Sequence, residues 1–208
     1  MNNLGKNKKL LLAKYPSGLA ELDDFISEEV EVPNIVDNEL LIQSHYVGVD
    51  AALRLIVRDS DEFLFRVQPG DIIHANIAGE VIASNNKDFE VGDFVVGWLG
   101  WQKYSIVKSE NIQVKISEND VPLSANLGVL GLNGITAHAG LVDICKPNKG
   151  DTVVVTTAAG SVGSAVGQIA KIFECKTIGL TSSNEKKSIC LNEFKYDHVI
   201  NYNEIKDI

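Results

Sequence analysis

The stretch TVVVTTAAGSVG, residues 152–163, decides the fold of the second half of the chain. Its first five residues form a continuous β-branched run, which is typical of a strand buried on both faces of a parallel sheet. Residues 158–163 then follow the dinucleotide fingerprint, with Ala158 in the first glycine position and Gly160 and Gly163 in the other two. The pattern predicts that a diphosphate rests on the N-terminus of the next helix, where free N–H groups favour negative charge.

The residues that follow continue this alternation of strand and helix. The pattern predicts a helix over 162–173, a strand over 177–181, a helix from about 183 to 194 and a strand over 198–202. Ser182 to Glu185 fits a capping box, with a serine three residues before a glutamate. The order β-α-β-α-β predicts one half of a doubly wound, nucleotide-binding α/β fold.

The first part of the chain has a different pattern of short strands separated by turns. Apolar or alternating runs predict strands over 9–13, 40–49, 77–83 and 104–107, and turn residues stand at 33–34, 69–71 and 92–93. Such a series predicts a partly open β-barrel or sandwich. Pro122 is expected to open a helical stretch, and 136–144 is expected to form a helix. We therefore predict a β-rich domain over 1–123 and a partial Rossmann domain over 124–208.

Charge divides the 208 residues in the same place. Residues 1–123 hold 20 acidic and 11 basic residues, whereas 124–208 hold 8 of each, so the whole net charge of −9 falls in the first part. The eight acids between Glu21 and Glu39 predict a solvated face with loops. This balance argues against nucleic acid as a partner. Neither a membrane span nor a secretion signal is predicted, and three cysteines without a CxxC pair favour the cytoplasm.

The end of the second predicted strand bears on the choice of dinucleotide. NAD-binding units usually carry Asp or Glu there to hold the ribose 2′-OH, but residues 180–183 are Leu-Thr-Ser-Ser. Lys186 and Lys187 follow on the next turn and either accommodate a 2′-phosphate or are ordinary surface lysines. The four histidines are scattered, so no metal site is predicted, and the chain has no Gly-x-Ser-x-Gly elbow for a hydrolase.

Motifs along nearly the whole chain resemble the zinc-independent medium-chain dehydrogenases/reductases, and among these the NADPH-dependent alkenal, curcumin and prostaglandin reductases. The matching segments are 12–18 (LAKYPSG), 39–42 (ELLI), 49–50 (VD), 91–93 (VGD), 100–104 (GWQKY), 127–131 (LGVLG), 134–137 (GITA), 158–163 (AAGSVG), 167–171 (GQIAK), 183–186 (SNEK) and 201–202 (NY). Together these segments are highly specific.

The resemblance implies a GroES-like β-rich catalytic domain followed by the Rossmann domain, with the active site between them, and a cytoplasmic homodimer. It implies an NADP-dependent enzyme that transfers hydride to an activated carbon–carbon double bond of a small enal or enone. It also implies that Gly160, Ser161, Val162 and Gly163 contact the pyrophosphate, and that Lys186 and Tyr202 lie at the 2′-phosphate. No catalytic residue is assigned, although weak analogy points to Tyr46 and Tyr104 as cleft residues.

Departures from the family pattern bear on the substrate and on completeness. Residues 50–54 read DAALR instead of Asp-Pro-Tyr-Met-Arg, and Asn133, His138 and Lys195 replace the usual proline, tyrosine and glycine. A quinone reductase of the related branch is an alternative that residues 100–104 and 127–131 make less favoured, and a non-catalytic NADPH-binding protein is another. Because members of the family continue through a second Rossmann half, we expect a longer natural protein or an inactive fragment whose strand over 152–156 has an open edge.

Overall fold

The computed structural model describes residues 4–60, 65–117 and 121–205. The chain divides into two compact units, one up to Leu127 and one from Gly128 onward. The predicted boundary between residues 123 and 124 falls inside a short 3-10 turn, Leu123–Leu127, at the end of the first unit. Each unit is described below by itself.

The first unit is built on antiparallel sheets. Its strands are β1 (Lys6–Leu12), β2 (Phe25–Glu31), β3 (Glu39–Val47), β4 (Asn76–Ser84), β5 (Phe94–Trp98), β6 (Tyr104–Lys108) and β7 (Ile112–Ile116), and a short helix, α1 (Leu53–Ile56), follows β3. Strands β1 and β2 form a hairpin, and the others form a five-stranded sheet in the order β6-β3-β4-β5-β7. The four predicted strands are confirmed, with ends that differ by up to three residues.

Close pairing of β3 and β4 forms the centre of the larger sheet. A Cβ atom at Gly79 would lie 2.5 Å from the carbonyl oxygen of Gln43 on the paired strand, so glycine at this position lets the two backbones approach. The core beside this pairing contains five fully buried side chains from β3, β4 and β5: Leu40, Ile42, Ile77, Val81 and Val95.

The acidic run was predicted to be a solvated face with loops; Glu28, Glu29 and Glu31 are exposed, but the run also contains a strand. Its middle third is strand β2, which pairs in register with the lysine-bearing strand β1. The opposed pairs are Lys6 with Glu31, Lys8 with Glu29, and Lys9 with Glu28. Opposite charges that face each other across two strands stabilise the pairing, so the acids complement β1 instead of only facing solvent.

The second unit is a three-stranded parallel sheet with helices. It contains α2 (Leu132–His138), a π-helical segment (Ala139–Cys145), β8 (Thr152–Val155), α3 (Ser161–Ile172), β9 (Lys176–Thr181), α4 (Asn184–Asn192), β10 (His198–Asn201) and a 3-10 turn (Tyr202–Glu204). The sheet order is β10-β9-β8. This is the predicted β-α-β-α-β half of a doubly wound fold, and the α/β class is confirmed.

Three predictions for the second unit are corrected by the structure. The helix expected over 136–144 begins earlier, at Leu132, and changes to π-helical spacing at Ala139. The cap of α4 is Ser183, whose hydroxyl accepts the backbone N–H of Lys186 at 3.2 Å, so the cap lies one residue later than the sequence predicts. Tyr202 begins a 3-10 turn instead of ending strand β10.

Strand β8 is less covered than a β-branched run implies. Val155 is 7% exposed, but Val154 on the opposite face is 60% exposed. Among the described residues, β8 pairs only with β9 and forms the edge of its sheet. Hydrophobic strands of this type are usually buried on both faces, so the strand carries apolar surface that nothing in the described part of the chain covers.

Helix lengths bear on the question of a membrane. The longest α-helix in the described ranges, α3, has 12 residues, and α2 together with the π-helical segment that continues it has 14. Within those ranges, no helix combines the length and the apolar character that crossing a membrane would require.

Asp197 ties the start of β10 to the start of β9. Its carboxylate accepts the backbone N–H of Thr177 at 2.7 Å and the hydroxyl of Thr177 at 3.0 Å, and it pairs with the Lys171 ammonium at 2.6 Å. The hydrogen bond from Lys171, followed by the one from the Thr177 backbone, lowers the pKa of Asp197 from 3.8 to about 2.

This lowered pKa makes the stability of the second unit dependent on acid. The Asp197 contribution is complete above the unfolded pKa near 4 and is lost as the pH falls toward 2. We expect Asp197→Asn to lower the free energy of unfolding by about 1 kcal/mol at pH 7, a value reduced for solvent screening. The difference from wild type should shrink between pH 4 and 2 in urea unfolding. Glu193→Gln is the control, and a similar pH-dependent difference there would contradict the assignment to Asp197.

Candidate cofactor-binding site

A tight turn carries the chain from β8 to the N-terminus of α3. Thr157 has a positive φ of 52°, an uncommon backbone conformation for a β-branched residue. Its carbonyl oxygen accepts the N–H of Gly160 at 2.8 Å, and the N–H of Ala158 donates to the carbonyl oxygen of Leu180 on β9 at 3.1 Å. These two bonds hold the strained turn against the neighbouring strand.

The two glycines of the fingerprint are required by the backbone of this turn. A Cβ atom at Gly163 would lie 2.4 Å from the carbonyl oxygen of Thr157, and one at Gly160 would lie 2.9 Å from its methyl group. Gly160 is also the N-cap of α3 and has no side chain that could cap the helix. The first N–H groups of a helix have no partner within it, so the turn leaves those of α3 available to an anion.

A cleft of about 150 Å³ lies beside the turn. Its lining residues are Thr157, Ala159, Gly160, Thr181, Ser182, Lys186 and Tyr202. They come from three places in the sequence: the β8–α3 turn, the β9–α4 connection and the turn after β10. Whole-ligand pockets usually hold about 300–1,000 Å³, so this cleft has room for one end of a dinucleotide.

The charge of the cleft is positive. Of the described residues that line it, only Lys186 is charged, and Thr181 and Ser182 stand where NAD-binding units usually carry a carboxylate. Tyr202 is 46% exposed and presents an aromatic ring and a hydroxyl. A lysine, hydroxyl groups and the start of a helix together suit an anionic oxygen-rich group such as a phosphate.

The structure brings together three of the six predicted contact residues. Gly160, Lys186 and Tyr202 line the cleft. Ser161, Val162 and Gly163 lie on the first turn of α3 outside its lining, and Gly163 is buried.

Of the other lining residues, the sequence analysis singled out Thr181 and Ser182 at the strand end but gave no role to Thr157 or Ala159. Thr157 and Ala159 could have been suggested by their positions next to the fingerprint glycines. The positive φ of Thr157 had no signal in the sequence.

The two tyrosines suggested by analogy have different environments in the first unit. The Tyr104 hydroxyl donates to the backbone carbonyl of Leu4 at 3.0 Å, and the residue is 6% exposed. Tyr46 is 46% exposed on β3. The contacts of Tyr104 indicate a structural role.

Potential metal ligands do not cluster in the part of the chain that the structure describes. Across the described ranges, no group of three or more His, Cys, Asp or Glu side chains could hold a metal ion.

The contact between Gly160 and Thr157 can be tested by a double-mutant cycle. Gly160→Ala should lower the free energy of unfolding by about 1–3 kcal/mol, because the new methyl overlaps that of Thr157. Adding Thr157→Ala removes the obstructing methyl, so the pair should show a favourable coupling of about 0.5–1.5 kcal/mol in chemical unfolding. Gly163→Ala is the matched control, since its obstacle is a carbonyl oxygen that Thr157→Ala leaves in place. Equal coupling in both pairs would contradict this geometry.

Comparisons with known proteins agree with this architecture. A family model described as the N-terminal domain of oxidoreductase matches residues 8–115. The chain is 36% identical to (+)-pulegone reductase of Mentha piperita over 207 residues, covering 97% of this chain and 60% of that protein. It is 34% identical to the NADP(+)-dependent 2-alkenal reductase of Nicotiana tabacum over 206 residues, with the same coverage of 97% and 60%.

A solved structure extends the likeness to both units. CurA from Vibrio vulnificus in complex with NADPH has a TM-score of 0.87 and 33% identity, covering 96% of this chain and 59% of that chain. The chain thus spans about three fifths of the length of these relatives. It belongs to the medium-chain dehydrogenase/reductase family of oxidoreductases, and within that family it is similar to the alkenal, pulegone and curcumin reductases.

Proposed function

We propose that the protein containing this chain is an NADPH-dependent reductase of the activated carbon–carbon double bond in small enals or enones. One observation carries the proposal: a lysine lines a cleft beside a glycine turn, and the adjoining strand end lacks a carboxylate. The names of two relatives, a 2-alkenal reductase and a pulegone reductase, support the class of substrate.

The residues of the second unit fit one end of NADPH. We propose that four residues at the start of α3 receive the pyrophosphate, and that Lys186 and Tyr202 hold the 2′-phosphate. The N–H groups and the dipole of the helix favour the first interaction, and the Lys186 ammonium favours the second. Thr181 and Ser182 line this end of the cleft without the negative charge that would repel a phosphate. The four pyrophosphate residues are Gly160, Ser161, Val162 and Gly163.

The cofactor and the protein would contribute differently to the reaction. When bound, NADPH supplies the hydride for reduction of the double bond. The residues of this chain would bind and orient the cofactor through one end, which restricts its position relative to a substrate. We assign no proton donor.

We also propose the organisation implied by the family. Residues 1–123 would form the GroES-like catalytic domain and residues 124–208 part of the NADP-binding domain. The protein would act in the cytoplasm as a homodimer. These proposals rest on the resemblance of the motifs quoted above.

Steady-state oxidation of NADPH by the full-length protein tests the activity. With a panel of enals, enones and quinones, we expect turnover to be fastest with enals and enones. Turnover with quinones alone would favour a quinone reductase and reject alkene reduction. Tight NADPH binding without turnover of any substrate would favour a non-catalytic binding protein.

Lys186→Ala tests the choice of cofactor. A hydrogen bond to a charged group contributes about 1.5–3 kcal/mol, so the variant should bind NADPH roughly 10- to 100-fold more weakly and NADH almost unchanged. Fluorescence titration of the full chain measures both dissociation constants. Lys187→Ala, at the next residue and outside the lining of the cleft, is the matched control. Equal weakening of both cofactors by Lys186→Ala would instead indicate an effect through the fold.

A further inference from the structure

We propose that a hydrogen-bonded bracket fixes Tyr202 opposite Lys186 and thereby sets the preference for a 2′-phosphorylated cofactor. The bracket consists of four positioning residues, none of which is part of the lining of the cleft: Asn184, Asn201, Asn203 and Glu204. The identity of the ligand rests on the proposed function, whereas the bracket itself is a feature of the described residues.

The bracket joins two short segments that are far apart in sequence. The Asn201 amide donates to the Asn184 side-chain oxygen at 3.2 Å, and the Asn184 amide donates to the Glu204 carboxylate at 2.6 Å. The Asn203 amide donates to the backbone carbonyl of Ser182 at 2.8 Å. Three side-chain bonds therefore connect the β9–α4 corner with the turn after β10.

Each of these segments carries one wall of the cleft. Lys186 lies on the first turn of α4, two residues after Asn184, and Tyr202 lies between Asn201 and Asn203. The turn that holds Tyr202 is a 3-10 helix of only three residues, which is too short to be stable by itself. Its position relative to Lys186 must come from bonds to other elements.

The Asn201 side chain connects the two ends of the bracket. It is 7% exposed, and its oxygen also accepts the backbone N–H of Asn203 at 3.2 Å, which caps the 3-10 turn. Donor and acceptor of this one amide are thus both used, one toward α4 and one toward the turn. A buried amide with both functions satisfied fixes orientation more strongly than an exposed one does.

The bracket also determines where a negative charge is held. Glu204 is the acid nearest in sequence to Tyr202, and a carboxylate that turned toward the cleft would repel a phosphate. Its bond to the Asn184 amide holds the carboxylate outside the lining of the cleft. Loss of Asn184 would release both the turn and this charge, and both changes disfavour a 2′-phosphate more than a 2′-hydroxyl.

Asn184→Ala tests the bracket directly. Asn184 is exposed, and the cap of α4 is Ser183, so the variant keeps the helix and both walls of the cleft. We expect the dissociation constant of NADPH to rise about 3- to 10-fold and that of NADH to change less than about 2-fold, in titrations of the full chain. Asn192→Ala is the matched control, because it removes an exposed asparagine with one side-chain bond at the other end of α4.

A charge-preserving exchange provides the rescue. Asn184→Asp combined with Glu204→Gln reverses donor and acceptor while keeping the net charge. The new carboxylate at position 184 would accept both from the Asn201 amide and from the amide introduced at position 204. The double variant should return the NADPH dissociation constant to within about 2-fold of wild type, whereas Asn184→Asp alone should not, since it sets two carboxylates against each other. Failure of the double variant to recover beyond Asn184→Asp would reject the bracket.

Hydrogen exchange gives a readout without any cofactor. In Asn184→Ala, the backbone amides of 203–205 should exchange faster than in wild type, and those of β8 should not. A preference for NADPH that Lys186→Ala abolishes and Asn184→Ala leaves intact would reject the bracket and leave the proposed function standing. A full-length wild-type protein that binds no NADPH would reject the proposed function together with the selectivity claimed here.

Discussion

The position of helix α3 on its sheet depends on the absence of side chains at glycines of the helix and of the sheet. A Cβ atom at Gly167 would lie 2.2 Å from the ring of Tyr196, and one at Gly179 would lie 2.8 Å from the Cβ of Ala158. Tyr196, 4% exposed, fills this space, and its hydroxyl donates to the carbonyl oxygen of Gly163 at 2.7 Å. Burial raises the pKa of that hydroxyl, so it stays protonated and remains a donor. The start of α3 is held where it is by this apolar packing.

The cleft depends on the same packing, although few of its own residues take part. Gly160 and Thr157 belong to the turn that leads into α3, and Ala158, fully buried, anchors that turn to β9. A methyl group added at Gly167 would force the helix or Tyr196 outward, and the turn would move with it. The backbone groups of this turn are therefore positioned by packing around α3, whereas Lys186 and Tyr202 are positioned by polar side chains.

The sequence was sufficient for the fold where periodicity and burial agree. Residues 176–181 and 161–172 have the pattern of a strand and a helix, and the structure forms both. Strand β2 was not predicted because Glu28, Glu29 and Glu31 are residues that strands usually disfavour. Their partners are lysines on β1, and a local sequence pattern contains no information about pairing with another strand. The sequence analysis also did not predict strands β5 and β7, of five residues each.

Only the part of the site that depends on a local motif could be predicted from the sequence. The glycine fingerprint is local, so Gly160 could be placed at the start of a helix from sequence alone. Lys186 and Tyr202 line the same cleft because of the tertiary arrangement of α4 and of the turn after β10. Only the resemblance to a family suggested that these two residues act together. The positive φ of Thr157 is imposed by its surroundings against the preference of a β-branched residue, so no propensity could indicate it.

The net charge of the chain is −9, but the lysines of strand β1 reduce the repulsion that the glutamates of β2 exert on an approaching anion. Each glutamate of β2 that faces a lysine forms a dipole with it, and the field of a dipole falls with distance faster than that of a single charge. At physiological salt, charges more than about 8 Å away are largely screened. The hairpin by itself therefore repels an approaching anion less than its count of acids implies.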